Sequence, residues 1–104
     1  MKTLKFNKEY YMPILTGEKT QTIRKNKKRI RAGETVKAIF PGTPMQCKLN
    51  ITKIGYKQFK YLNEDDAKRE GYTTLEELKK DLLKIYPRLD NLTRIYWYQF
   101  ICID

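Results

Sequence analysis

The sequence predicts an α+β domain: a small, mainly antiparallel β-barrel of about five strands with two or three helices at its rim. Three observations predict it. The chain has 104 residues, enough for one core and no second domain, so residues 1–104 read as a single unit. Its strand-like segments alternate apolar and polar side chains, the pattern of a sheet with one face in the core. Those segments are not separated by regular crossover helices, which argues against a parallel α/β sheet.

Taken in order, Thr3 to Phe6 alternates weakly and reads as a short first strand with Leu4 or Phe6 inward. Asn7 can cap a helix from Lys8 to Leu15, which Pro13 shortens or delays to near Met12, because proline lacks an N–H and clashes with the preceding turn. Tyr10, Tyr11, Ile14 and Leu15 form its apolar stripe. Gly17 breaks the chain, and Thr20 to Arg24, rich in β-branched residues, reads as a strand. With Ile23 in the core, Thr20, Thr22 and Arg24 share the opposite face, and Lys19 sits in the turn just before them.

A turn at Arg31–Glu34 leads to a strand at Thr35–Phe40, ended by Pro41-Gly42-Thr43-Pro44. A half-buried strand follows from Gln46 to Ile54, pairing with its predecessor as a hairpin, and Tyr56, Phe59, Tyr61 and Leu62 make an aromatic connection. Asn63 caps a short helix, Glu64 to Glu70, whose first-turn acids suit the helix dipole and whose end is marked by Gly71. Thr74 with Glu77 forms a capping box for a helix from Leu75 to Tyr86, with Leu75, Leu78, Leu82 and Ile85 facing the core and Pro87 as its stop. Arg94 to Ile103 is a long last strand with apolar or aromatic residues on both faces, which predicts a central position in the sheet.

Composition narrows the function classes. No apolar run is long enough to span a membrane, and Lys2 and Lys5 are not followed by the apolar stretch of a signal peptide, so a cytoplasmic protein is expected. Cys47 and Cys102 lack a close-spaced motif, which predicts neither a disulfide framework nor a zinc site. The chain carries 22 Lys and Arg against 12 Asp and Glu, a net charge of +10, which points to a polyanionic partner, most plausibly nucleic acid. Much of that charge lies in Arg24, Lys25, Lys27, Lys28, Arg29 and Arg31, a loop that reads either as a solvated surface or as a substrate- or RNA-binding patch beside the Lys19–Arg24 cluster.

The chain has no histidine, which removes the commonest general base and metal ligand and excludes a Ser-His-Asp triad and the zinc deaminase site. No metal and no cofactor are expected. Gly17-Glu18-Lys19-Thr20 lacks the upstream glycine of a phosphate-binding loop. Any catalysis must use lysine, hydroxyls, tyrosine and carboxylates. Lys19 and Thr22 fit: a lysine held neutral by burial or a nearby cation can take the proton of a threonine hydroxyl, and a carboxylic acid must then protonate the leaving amine. A solvated turn lysine and an ordinary strand threonine are the alternative.

The run Ile14-Leu-Thr-Gly-Glu-Lys-Thr-Gln-Thr-Ile-Arg24 resembles the signature of the ASCH domain, a small barrel related to the PUA fold of RNA-binding proteins. Ala67-Lys-Arg-Glu-Gly-Tyr-Thr-Thr-Leu-Glu-Glu-Leu-Lys-Lys80, Ile85-Tyr86-Pro87 and the aromatic last strand resemble the ASCH branch that hydrolyses N(4)-acetylcytidine. The resemblance implies that Lys19 accepts a proton, Thr22 is the nucleophile and Glu70 donates a proton, without metal, and that a modified nucleoside is the substrate. Arg24 and backbone N–H groups near Gly17 would steady the oxyanion. The alternative is a non-catalytic RNA-binding module of the PUA-like kind, distinguished by whether N(4)-acetylcytidine is turned over.

Overall fold

Alternating apolar positions draw five segments into one curled sheet. The computed structural model describes residues 1–103. The strands are β1 (Thr3–Lys5), β2 (Gln21–Arg24), β3 (Thr35–Ile39), β4 (Gln46–Gln58) and β5 (Arg94–Cys102), and the helices are α1 (Tyr11–Thr16), α2 (Glu64–Arg69) and α3 (Leu75–Ile85). Single 3-10 turns at Lys8–Tyr10 and Phe59–Tyr61 precede α1 and α2. The sheet order is β1-β3-β4-β5-β2. β1 pairs with β3 in parallel, and the other neighbours are antiparallel, so the sheet is a mainly antiparallel half-barrel.

The two edge strands approach each other across the open seam. Arg24, at the end of β2, donates from Nη2 to the carbonyl of Lys5, at the end of β1, at 2.8 Å, and its guanidinium lies 5.0 Å from the ring centroid of Phe6. Arg24 therefore links the two edges side by side.

Two cores form, one on each face of β5. Leu4, Phe6, Val36, Ala38, Leu49, Ile51, Tyr98 and Phe100 fill the inside of the curl with Cys47. Ile23, Ile95, Phe59, Leu62, Ala67, Leu78, Leu82 and Leu89 pack α2 and α3 against the other face. This double cover explains why β5 is apolar on both sides; it is an interior strand between β4 and the edge strand β2, while β4 holds the centre of the sheet.

The structure departs from the sequence reading in local ways. β4 runs to Gln58, so the supposed connection at Tyr56 is strand paired to Tyr96. Ile85 is 54% exposed and lies outside the α3 core stripe, while Ile101, near the end of β5, and Ile103, just past it, are also exposed. The complete capping box is at α2: the Asn63 side chain accepts from the Asp66 N–H, and the Asp66 carboxylate accepts from the Asn63 N–H. At α3 the Thr74 hydroxyl accepts from the Glu77 N–H, but the Glu77 carboxylate bonds that hydroxyl and not the cap backbone.

Candidate active site

The turn between α1 and β2 sets the site. Gly17 ends α1 in the left-handed conformation at φ 83°, which a side chain would resist. The chain then reverses, with the Lys19 N–H bonded to the Pro13 carbonyl at 3.0 Å and the Thr20 N–H bonded to the Arg69 carbonyl at 2.7 Å. That second bond docks the turn on the last residue of α2. It sets Lys19 against Glu70, 51 positions away in sequence.

Lys19 and Glu70 form a buried ion pair, Nζ to Oε1 at 3.1 Å, with each side chain only 5% exposed. Lys19 Nζ also donates to the Glu70 carbonyl at 3.3 Å and lies 4.9 Å from the Tyr10 ring centroid. Burial pushes the Glu70 carboxyl up, against the downward pull of the Lys19 ammonium. Glu70 Oε2 is buried and accepts no hydrogen bond among the described residues, so it is placed to carry a proton or to take one from a ligand.

Thr22 is buried beside this pair in a cavity of about 180 Å³. Its Oγ1 accepts from Arg24 Nε at 3.1 Å, so the positive guanidinium faces the oxygen and the hydroxyl proton points elsewhere. Burial lowers the Arg24 guanidinium from its ordinary value. The apolar wall is Phe6, Ile23, Leu78, Leu82 and Ile85. Tyr10 and Tyr72 also line the cavity and form a chain with Asp81 behind them: Tyr72 Oη donates to Asp81 at 2.8 Å, which leaves Tyr10 as the donor in the 3.2 Å contact between the two phenols. Burial, then the bonds to Tyr10 and Asp81, push the Tyr72 phenol up. The cavity is smaller than the ~300–1,000 Å³ typical of drug-sized ligands and suits one small ring with a short substituent.

A second buried network supports the first. Gln21, fully buried, donates to Asp66 at 3.2 Å and accepts from Gln99 at 3.1 Å, while Lys57 pairs with the other Asp66 oxygen at 2.8 Å. It ties β2, β4 and β5 to α2 under the Lys19–Glu70 pair.

No protein-family model matches the sequence. An N(4)-acetylcytidine amidohydrolase of Moritella marina is 36% identical over 93 residues, spanning 88% of this chain and 85% of that protein. The chain belongs to the N(4)-acetylcytidine amidohydrolase family. The fold agrees: an ASCH domain of Lactobacillus crispatus superposes with a TM-score of 0.80 at 17% identity, over 97% of this chain and 79% of the other. A protein of Enterococcus faecalis superposes with a TM-score of 0.78 at 16% identity, over 100% of this chain and 77% of its own.

In this ASCH-like fold, Lys19, Thr22, Arg24 and Glu70 line one cavity. Lys25, Lys27, Lys28, Arg29 and Arg31 do not reach it; Lys27 and Lys28 border a separate groove, and Arg29 and Arg31 are exposed. The Gly17 N–H, expected near an oxyanion, is already bonded to the Ile14 carbonyl at 3.3 Å and does not line the cavity. Sequence reasoning missed Tyr10, Tyr72 and Asp81. Only the position of Tyr72, two residues after Glu70, gave a signal for any of them. No helix among the described residues is long and apolar enough to cross a membrane.

Proposed function

We propose that this protein is an amidohydrolase that cleaves the acetamide of N(4)-acetylcytidine to cytidine and acetate, with Thr22 as nucleophile, Lys19 as general base and Glu70 as general acid. The observation that carries this reading is the buried Lys19–Glu70 contact opening onto the same cavity as Thr22, in a chain related to an enzyme of that name. A proton shift from the Lys19 ammonium to the Glu70 carboxylate, across 3.1 Å, converts the ion pair into a free amine and a carboxylic acid. Burial disfavours the charged pair, so the neutral pair is accessible here as it would not be in water.

The amine of Lys19 takes the Thr22 proton as Oγ1 attacks the acetyl carbonyl. The negative oxygen of the tetrahedral intermediate forms beside the Arg24 guanidinium, which stabilises it. Glu70 protonates N4, the C–N4 bond breaks, and cytidine leaves an acetylated Thr22. Water then attacks this ester and gives one proton to the Glu70 carboxylate. The Thr22 oxygen leaves with a proton from the Lys19 ammonium, and acetic acid departs. The pair returns to its neutral form, so one cycle consumes one water and needs no added acid, base or metal. A chain with two cysteines and no close-spaced cysteine motif fits a reducing, cytoplasmic setting, which is part of this proposal.

Incubation with N(4)-acetylcytidine tests this directly. Its ultraviolet spectrum converts to that of cytidine with one acetate released per turnover, and the rate survives chelation. Mass spectrometry of a rapidly quenched reaction finds an added acetyl group on Thr22. A spectrum that never changes, or a rate lost to chelator and restored by zinc, overturns the proposal.

A further inference from the structure

On the same sheet face as Thr22 and Arg24 lies a second recess that the hydrolysis does not use. Cross-strand register aligns Arg24, Tyr96 and Tyr56 in one row from β2 across β5 to β4, since paired residues of an antiparallel sheet share a face. The basic loop crosses this row and is tethered there: the Lys28 N–H donates to Tyr98 Oη at 2.8 Å, and Ile30 is buried in the core. Between the loop and the sheet is a groove of about 320 Å³. Its rim carries Lys27, Lys28 and Arg94, and its floor carries Tyr56, Tyr96 and Ile54.

The groove pairs flat rings with unpaired positive charge. Tyr56 is 61% exposed on β4, its ring centroid 6.3 Å from that of Tyr96 and tilted by 59°. The Arg94 guanidinium lies over the Tyr56 ring, 4.5 Å from its centroid, in cation–π range. No acidic residue lines the groove, and none of its three cations is in a salt bridge among the described residues. An exposed aromatic platform bordered by uncompensated cations is the arrangement that holds a stacked base and its phosphates.

We infer that this groove is a binding site for a single-stranded polynucleotide, with a base stacked on Tyr56 and adjoining phosphates on Lys27, Lys28 and Arg94. A duplex, whose bases already stack on each other, cannot use the platform. The site is separate from the cavity and does not depend on hydrolysis taking place there.

Fluorescence anisotropy with a labelled ten-nucleotide oligouridylate and its adenylate duplex tests the site. The parent protein binds the single strand at about 50 mM salt, more tightly than the duplex. Three phosphate contacts predict about twentyfold weaker binding at about 200 mM. Tyr56→Ala weakens binding about fivefold or more, while Tyr56→Trp retains it, since stacking on an aromatic is worth roughly that much or greater. Turnover of free N(4)-acetylcytidine is the same in Tyr56→Ala as in the parent. A parent that does not bind the single strand, equal affinity for the duplex, or a Tyr56→Ala protein that binds like the parent each overturns the site. A parent that binds the oligonucleotide but leaves N(4)-acetylcytidine intact upholds the groove and overturns only the hydrolase reading.

Discussion

Lys19, Thr22 and Glu70 meet in a cavity where few water molecules fit, and the chemistry proposed for them rests on that burial. Replacing each in turn by Ala lowers turnover of N(4)-acetylcytidine by at least about a hundredfold. The triple variant is little worse than the worst single one, because the three act as a unit. Lys19→Arg does not rescue, since a guanidinium stays protonated and cannot take the Thr22 proton. Thr22→Ser keeps partial activity, and thermal melts separate catalytic loss from unfolding. Glu70 also predicts a pH dependence of stability. Its carboxyl is raised above 4.5 in the folded protein, so on raising the pH the unfolded chain releases this proton first. The folded state then binds more protons than the unfolded one, and stability falls from about pH 4.5 up through the raised value. Glu34 and Asp65, whose carboxyls are lowered by Lys2 and Arg69, lose their effect below that window and do not mask it. Melting temperatures of Glu70→Gln measured across the window have a smaller downward slope than those of the parent; an unchanged slope would show that Glu70 is not its source.

Secondary-structure elements deliver these residues, and two close contacts within them fix the local geometry. α2 ends one residue before Glu70, and its start is held by the Asn63–Asp66 box, so the capping that starts the helix also sets where its last turn meets Lys19. β4 and β5 meet at Gly55 opposite Trp97, and a Cβ on Gly55 would stand 2.3 Å from the indole ring. The glycine lets Trp97 lie flat against the strand and fill the edge of the helix-side core. Gly55→Ala forces the indole or the strand to move and costs about 1–3 kcal/mol, as overpacking does. Chemical denaturation measures the loss, and Trp97→Leu in the same chain recovers part of it. Full stability in Gly55→Ala would mean that the indole shifts freely.

At the scale of the whole molecule, the half-barrel is closed at its seam by a side chain. Arg24 bonds Thr22, bonds the Lys5 carbonyl and stacks on Phe6, so it joins the first and last strands of the sheet order and lines the cavity at once. Arg24→Ala leaves the Lys5 carbonyl without this donor and costs about 2 kcal/mol, the range for a hydrogen bond to a charged group. Hydrogen exchange then rises at Gln21–Arg24 and Thr3–Lys5 before it rises in β3 and β4. Uniform exchange across all strands would show that the seam does not open by itself.

The sequence by itself determined the class of fold, the interior place of β5, the Asn63 and Thr74 caps of α2 and α3 and the Lys19–Arg24 cluster, because these depend on residue periodicity and on contacts a few positions long; the Asn7 side chain, read as a cap, makes no capping bond. It could also nominate Glu70, through the resemblance of its flanking segment. What only the tertiary structure decided is which charges meet. Lys19 and Glu70 lie 51 positions apart, and their contact rests on a single backbone bond from Thr20 to Arg69 that no local pattern encodes. Arg24 read both as a member of the Lys19–Arg24 cluster and as the first residue of a basic patch; the structure gives it to the cluster, because the curl of the sheet brings the Lys5 carbonyl and the Phe6 ring within its reach. Tyr56 looked like part of a connection and is instead an exposed ring on a paired strand. Each outcome depends on how far a sheet curls and where a helix docks, and those distances are set by packing between segments that the chain itself keeps far apart.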